Sequence, residues 1–253
     1  MIDAESKAPL PYVNIGVRNK NMGVISRDDG SFEIDLSKAA LGDTLVFSMI
    51  GYESATFKAG DLRTTTREVR LNPKTYQLKE VVITDKKKKS VKLGRYQPSR
   101  TTSGHSNTEN FGFGGEWGLK ISAPGKKYWI EQAGFHLRFN TVDSIQFRIK
   151  IYTVIDDLPG ESLLKKDIYV KSYKNDQWIL RDLSAENLII DQDLIVTFEV
   201  LQLWYSKTSD NQIFFTHGSG YKEGHTYSRL SSQDKWAIDG RAPVTLYLLG
   251  MEY

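Results

Sequence analysis

Hydrophobic and polar residues alternate in short runs along almost the whole chain, with Gly, Asn, Asp and Pro between the runs. Alternation sends successive side chains to opposite faces, so the pattern predicts strands and an all-β protein. In the first third the runs fall at 12–18, 23–26, 31–35, 44–49, 53–58 and 67–71, with 81–84 closing the set. A repeat of roughly 8–12 residues is that of a β-sandwich. Asp28-Asp29-Gly30 reads as a hairpin turn, because Asp and Gly tolerate positive φ. Only 37–41 reads as a helical turn. Strands resume after residue 111, at 127–132, 134–140, 145–154, 166–170, 177–182, 194–203, 211–216, 227–230, 236–238 and 244–251. Phe147, Ile149 and Ile151 alternate with Arg148, Lys150 and Tyr152, which predicts one face in a core and the other in water. Asp156-Asp157-Leu158-Pro159-Gly160 reads as a turn; the alternative is a loop that holds a calcium ion.

Charge sharpens where the chain divides. The net charge is +3, yet residues 1–84 are balanced and 96–253 are slightly acidic. The excess sits in Lys86, Lys87, Lys88, Lys89, Lys92 and Arg95 against Asp85. A like-charge run repels itself and stays solvated, so residues 85–110 read as a basic and polar linker. The predicted organisation is a small sandwich over 1–84, that linker, and a larger sandwich over 111–253. Of the 29 aromatics, 23 and all five Trp fall after residue 95, which loads the second core and leaves aromatics for a binding surface.

Composition closes several chemistries. There is no cysteine, which removes disulfides, thiolate metal sites and thiol catalysis. No apolar run approaches the roughly 20 residues of a membrane helix; the stretch 188–200 is cut by Asp191, Gln192 and Asp193. The lysine run lacks interleaved aromatics, and neutral or acidic regions flank it, so nucleic acid is not an expected partner.

The first third carries a resemblance. Pro9-Leu10-Pro11-Tyr12-Val13-Asn14-Ile15 is followed by Gly23-Val24-Ile25-Ser26, then Asp29-Gly30-Ser31-Phe32. The stretch Asp43-Thr44-Leu45-Val46-Phe47-Ser48-Met49-Ile50-Gly51-Tyr52 comes next, and Leu78-Lys79-Glu80-Val81-Val82-Ile83 ends the block. In this order the blocks resemble the carboxypeptidase-D regulatory-like domain. The resemblance implies a transthyretin-like β-sandwich without peptidase chemistry, in a module abundant in Bacteroidetes cell-envelope proteins. It thereby implies a cell-envelope address: periplasmic, outer-membrane associated or secreted. Met1 is followed by Asp3 and Glu5, which is no signal peptide, so that address implies a leader outside this sequence. The family opens with a strand ending in a sequence like Val-Ile-Asp. Here only Met1-Ile2-Asp3 stands in its place, which predicts an exposed sheet edge. The second region resembles the β-jelly-roll companions of that module, similar to galactose-binding-like domains. The resemblance rests on Gly134-Phe135-His136-Leu137, Phe147–Tyr152, Leu158–Leu164 and Trp178–Leu183.

No constellation reads as catalytic, and no cofactor is expected. His217 and His225 with Glu223 lie in a Gly-rich loop whose spacing fixes no metal geometry. Ser219 with those histidines and Asp239 lacks the elbow a hydrolase nucleophile needs. The Gly-rich stretch 111–118 opens no helix and reads as the entry to the second sandwich. Aromatic faces stack on sugar rings, so the predicted ligand-binding residues are Trp204, Tyr205, Tyr221, Tyr227 and Trp236, with Arg229 and Asp234 for hydroxyls. The same aromatics also suit a core. The expected function is a non-enzymatic envelope binding module, with a glycan or small ligand on the jelly roll and the small sandwich as a spacer. The alternative is a scaffold that docks envelope proteins through strand edges.

Overall fold

Among the described residues the alternation resolves into strands. The computed structural model describes residues 1–63, 67–75, 89–107, 113–123, 125–205, 212–218, 225–239 and 243–252, with 99–107 and 212–218 described by backbone pairing. In the first unit, β1 (Ile2–Asp3), β2 (Asn14–Val17), β3 (Gly23–Ile25), β4 (Thr44–Ser48), β5 (Ala55–Lys58) and β6 (Arg70–Leu71) accompany one short helix, α1 (Ala59–Leu62). The antiparallel order is β3-β2-β4-β5. Val13, Ile15, Val17, Leu45 and Phe47 fill the core, and Phe47 packs edge-on against both Phe32 and Phe57.

Two expectations change in this unit. Ile2–Asp3, read as a remnant of a missing strand, pairs in parallel with Arg70–Leu71 and is itself closed into structure. Asp3 then accepts from the Tyr52 hydroxyl at 2.8 Å. Residues 31–35 carry no strand pairing, although the turn before them forms, with Gly30 at φ 76° and its N–H on the Arg27 carbonyl. The 81–84 strand lies outside the described residues.

The second unit has two seven-stranded sheets among the described residues. One holds β7 (Lys89–Gly94), β8 (Pro98–Asn107), β10 (Tyr128–Asn140), β14 (Trp178–Asp182), β15 (Ile189–Ile190), β17 (Gln212–Gly218) and β20 (Leu246–Glu252). The other holds β9 (Glu116–Ile121), β11 (Ser144–Ile155), β12 (Leu158–Ser162), β13 (Ile168–Tyr173), β16 (Leu194–Trp204), β18 (Thr226–Arg229) and β19 (Ala237–Asp239). Leu137, Phe135, Phe147, Ile149, Val196 and Phe198 belong to the core packed from both sheets.

The proposed linker is partly sheet. Lys89–Gly94 pairs with β20, and Pro98–Asn107 pairs with β17. Val91 and Leu93 pack on the core while Lys89 and Lys92 face out. Lysines on an outermost strand hinder pairing with other chains, so Lys89 and Lys92 mark an edge. The Asp156-Asp157 turn forms at positive φ for both residues, 50° and 60°, as a two-residue hairpin requires. The chain then continues as a strand through Pro159, which sits on the edge strand β12.

Candidate functional site

The face of β11 opposite its core face is the centre of the site. Arg148, Lys150 and Tyr152 were expected in water, but Arg148 is 1% and Lys150 5% exposed. The reason is that the first unit lies over this sheet. Asn14 on β2 donates to Glu199 Oε1 at 2.6 Å, and Arg148 donates to the Tyr12 carbonyl at 2.9 Å and to Asn14 Oδ1. A loop of the second unit locks the same contact. Asn19 N–H donates to the Gln233 carbonyl at 2.8 Å, and Gln233 Nε2 donates to Ser48 Oγ at 2.9 Å.

Beneath that cover the strands bring opposite charges into register. Arg148 faces Glu199 across the β11–β16 ladder, and Arg229 faces Glu116 across β18–β9. Arg148 Nε reaches Glu199 Oε2 at 2.6 Å, and its Nη1 reaches Asp167 at 3.1 Å. Lys150 lies 2.8 Å from Glu116 and 3.0 Å from Glu199. Arg229 donates to Glu116 from Nε at 3.0 Å and from Nη2. The Tyr152 hydroxyl and Thr197 Oγ1 complete Glu116 at 3.0 and 2.8 Å. Three cations thus meet three carboxylates, the balance that buried charge requires. Burial opposes ionisation of Glu116, but Arg229 and Lys150 outweigh it and bring its pKa down to about 2. Burial likewise opposes ionisation of Glu199, and Arg148 and Lys150 outweigh it, so its pKa is also lowered. Tyr152 moves the other way, because burial and then Glu116 hold its hydroxyl protonated.

A cleft of about 380 Å³ opens over one side of this network. The first unit supplies one wall with Met49, Ile50 and Tyr52; the second supplies the other with Pro159, Ser162 and Trp236. Arg148, Lys150, Tyr152 and Arg229 line it as well. Trp236 is half-buried, stands edge-on to Tyr152 at 6.1 Å, and has the Arg229 guanidinium 4.8 Å from its ring centre.

The seven sequence-chosen residues do not form one surface. Arg229 and Trp236 meet in the cleft, with Asp234 two residues away in sequence. Tyr227 has zero exposure and offers no face for stacking; its hydroxyl meets Asp157 at 3.3 Å. Trp204 and Tyr205 are exposed at the opposite end of the sheet, where Trp204 pairs with Ser144 and stacks against Lys171 at 4.0 Å. Ser144 and Tyr152 are eight positions apart on β11, roughly 26 Å at strand rise. Tyr221 lies outside the described residues, as do Ser219, Glu223 and the His217 side chain. The sequence reading passed over Arg148, Lys150, Glu116, Glu199 and Tyr152 as site residues. Their signal was present: a lone Glu199 inside Leu194–Trp204, and two cations on the strand that pairs with it.

The fold and cleft define a two-unit β-sandwich protein whose units share a buried ionic interface. Residues 1–83 match the family model of the CarboxypepD_reg-like domain, a regulatory and non-catalytic domain. No curated protein and no solved structure matches the chain. Among the described residues, no group of three or more His, Asp or Glu side chains is placed to hold a metal ion, and no helix is long and apolar enough to cross a membrane.

Proposed function

We propose that this chain is a non-enzymatic binding module of a Bacteroidetes-type cell envelope, and that it holds a glycan in the cleft between its two units. The envelope address rests on the likeness of the first unit to modules of that setting. The reading of the cleft rests on one observation: Trp236 and Tyr152 stand beside Arg229 in a recess of about 380 Å³. A sugar ring needs an apolar face to stack on and donors or acceptors for its hydroxyls, and small-ligand recesses run from roughly 300 to 1,000 Å³. On this reading the first unit is a wall of the site and not a spacer.

Calorimetric titration against a panel of defined oligosaccharides tests the reading. Trp236→Ala is expected to weaken the best ligand by about tenfold or more, as loss of a stacking face does. Trp204→Ala, at the far end of the sheet, is expected to leave it unchanged. Absence of binding to every oligosaccharide, or equal loss in both variants, sinks the assignment of the cleft. Turnover of any tested glycan would sink the non-enzymatic part.

A further inference from the structure

We infer that the cleft selects an acidic saccharide, whose carboxylate or sulfate group docks against Arg229 and Lys150. The inference rests on the cleft being a glycan site and adds the charge of the glycan.

The network is layered. Arg148, Lys150, Arg229 and Lys74 line the open space, whereas Glu116 and Glu199 do not. The only acidic lining residue among those described is Glu161, which is exposed at the rim. A ligand in the cleft therefore meets cations first, with the balancing carboxylates behind them.

Donor accounting separates the three buried cations. An Arg side chain has five N–H donors and a Lys three. Arg148 uses its donors on Glu199, Asp167, the Tyr12 carbonyl and Asn14, and is close to saturated. Arg229 spends two on Glu116, and Lys150 makes close approaches to Glu116 and Glu199. Among the described residues, Arg229 and Lys150 therefore keep donors for which no acceptor is placed. A guanidinium fork fits a planar carboxylate or a sulfate edge, and charge-assisted hydrogen bonds are stronger than neutral ones. Trp236 lies against the same guanidinium, so one pyranose can place its face on the indole and its acidic substituent on the cation.

The test is calorimetry on the full chain with three probes: galacturonate oligomers, galactose oligomers of matched length, and sodium sulfate. The acidic oligomer is expected to bind at least about tenfold more tightly than the neutral one. Sulfate is expected to compete with it, and the preference to shrink in about 0.5 M sodium chloride. Arg229→Lys keeps the charge and removes the fork; in a variant verified as folded, it should lower acidic affinity by a larger factor than neutral affinity. Equal binding of the two oligomers, or failure of excess sulfate to displace the acidic one, overturns the inference while the glycan reading stands. Saturable sulfate binding that Arg229→Lys weakens, with no saccharide binding, keeps the anion site and removes the glycan reading. If none of the three probes binds, both fall.

Discussion

Arg148 is held by groups from both units, and its environment defines what a substitution there costs. Its guanidinium bonds Glu199 and Asp167 within the second unit, and Tyr12 and Asn14 across the interface. Arg148→Met removes the cation and leaves two buried carboxylates with less compensation. Breaking one side of a buried ion pair costs about 3–5 kcal/mol, because the remaining charge has lost its partner in a poorly solvated place. Urea unfolding should register a loss of that order. A loss below about 1 kcal/mol would place Arg148 with solvent-exposed pairs and contradict its burial. Replacing Arg148 and Glu199 together by apolar residues should recover part of the loss, since well-packed hydrocarbon can stand in for a buried pair, while Asp167 still lacks its cation.

At the scale of elements, β2 has two working faces. Ile15 and Val17 enter the core of the first unit, while Asn14 and Gly16 meet the second. A Cβ on Gly16 would come within 2.1 Å of the Ser232 carbonyl oxygen, and one on Gly23 within 2.5 Å. Both contacts are to backbone, which cannot swing aside. Gly16→Ala is therefore expected to destabilise by about 1–3 kcal/mol through overpacking. Gly42→Ala, with nothing within 4 Å of its Cβ, should stay within about 0.5 kcal/mol. Thermal or urea unfolding of the two variants side by side checks this. The same two-faced strand explains what the sequence revealed and what it hid. Alternation at Phe147, Ile149 and Ile151 set the core face of β11 correctly, since period two is fixed by strand geometry. The opposite face looked wet because a polar residue under a docked unit has the same identity as one under water. Tyr227 looked like a stacking face because an aromatic in a short strand suits a ligand as well as a core, yet β18 pairs with β9 and β19 and carries it inside. The lysine run looked like a pure tether because like charge masks the apolar pair Val91 and Leu93.

For the whole molecule, the ionic interface couples stability to acid. Glu116 and Glu199 have lowered pKa values in the folded state, so folding favours their ionised forms. Their contribution is complete above the ordinary carboxylate value of 4.5 and is lost as pH falls towards about 2, where Glu116 takes up its proton. Unfolding free energy should therefore fall with pH across that window, and Glu116→Gln should flatten the slope. Urea titrations at several pH values would measure both. An unchanged slope in the variant would separate Glu116 from the acid response. The strand pairing of the second unit carries a consequence for biosynthesis. β7 is made early and pairs with β20, made more than a hundred residues later, with Leu93 opposite Leu248. Contacts of such separation form slowly, because the intervening chain must be closed first. On the ribosome the first unit can complete its own sheet while β7 still waits, and its lysines keep that waiting edge from recruiting a neighbouring nascent chain.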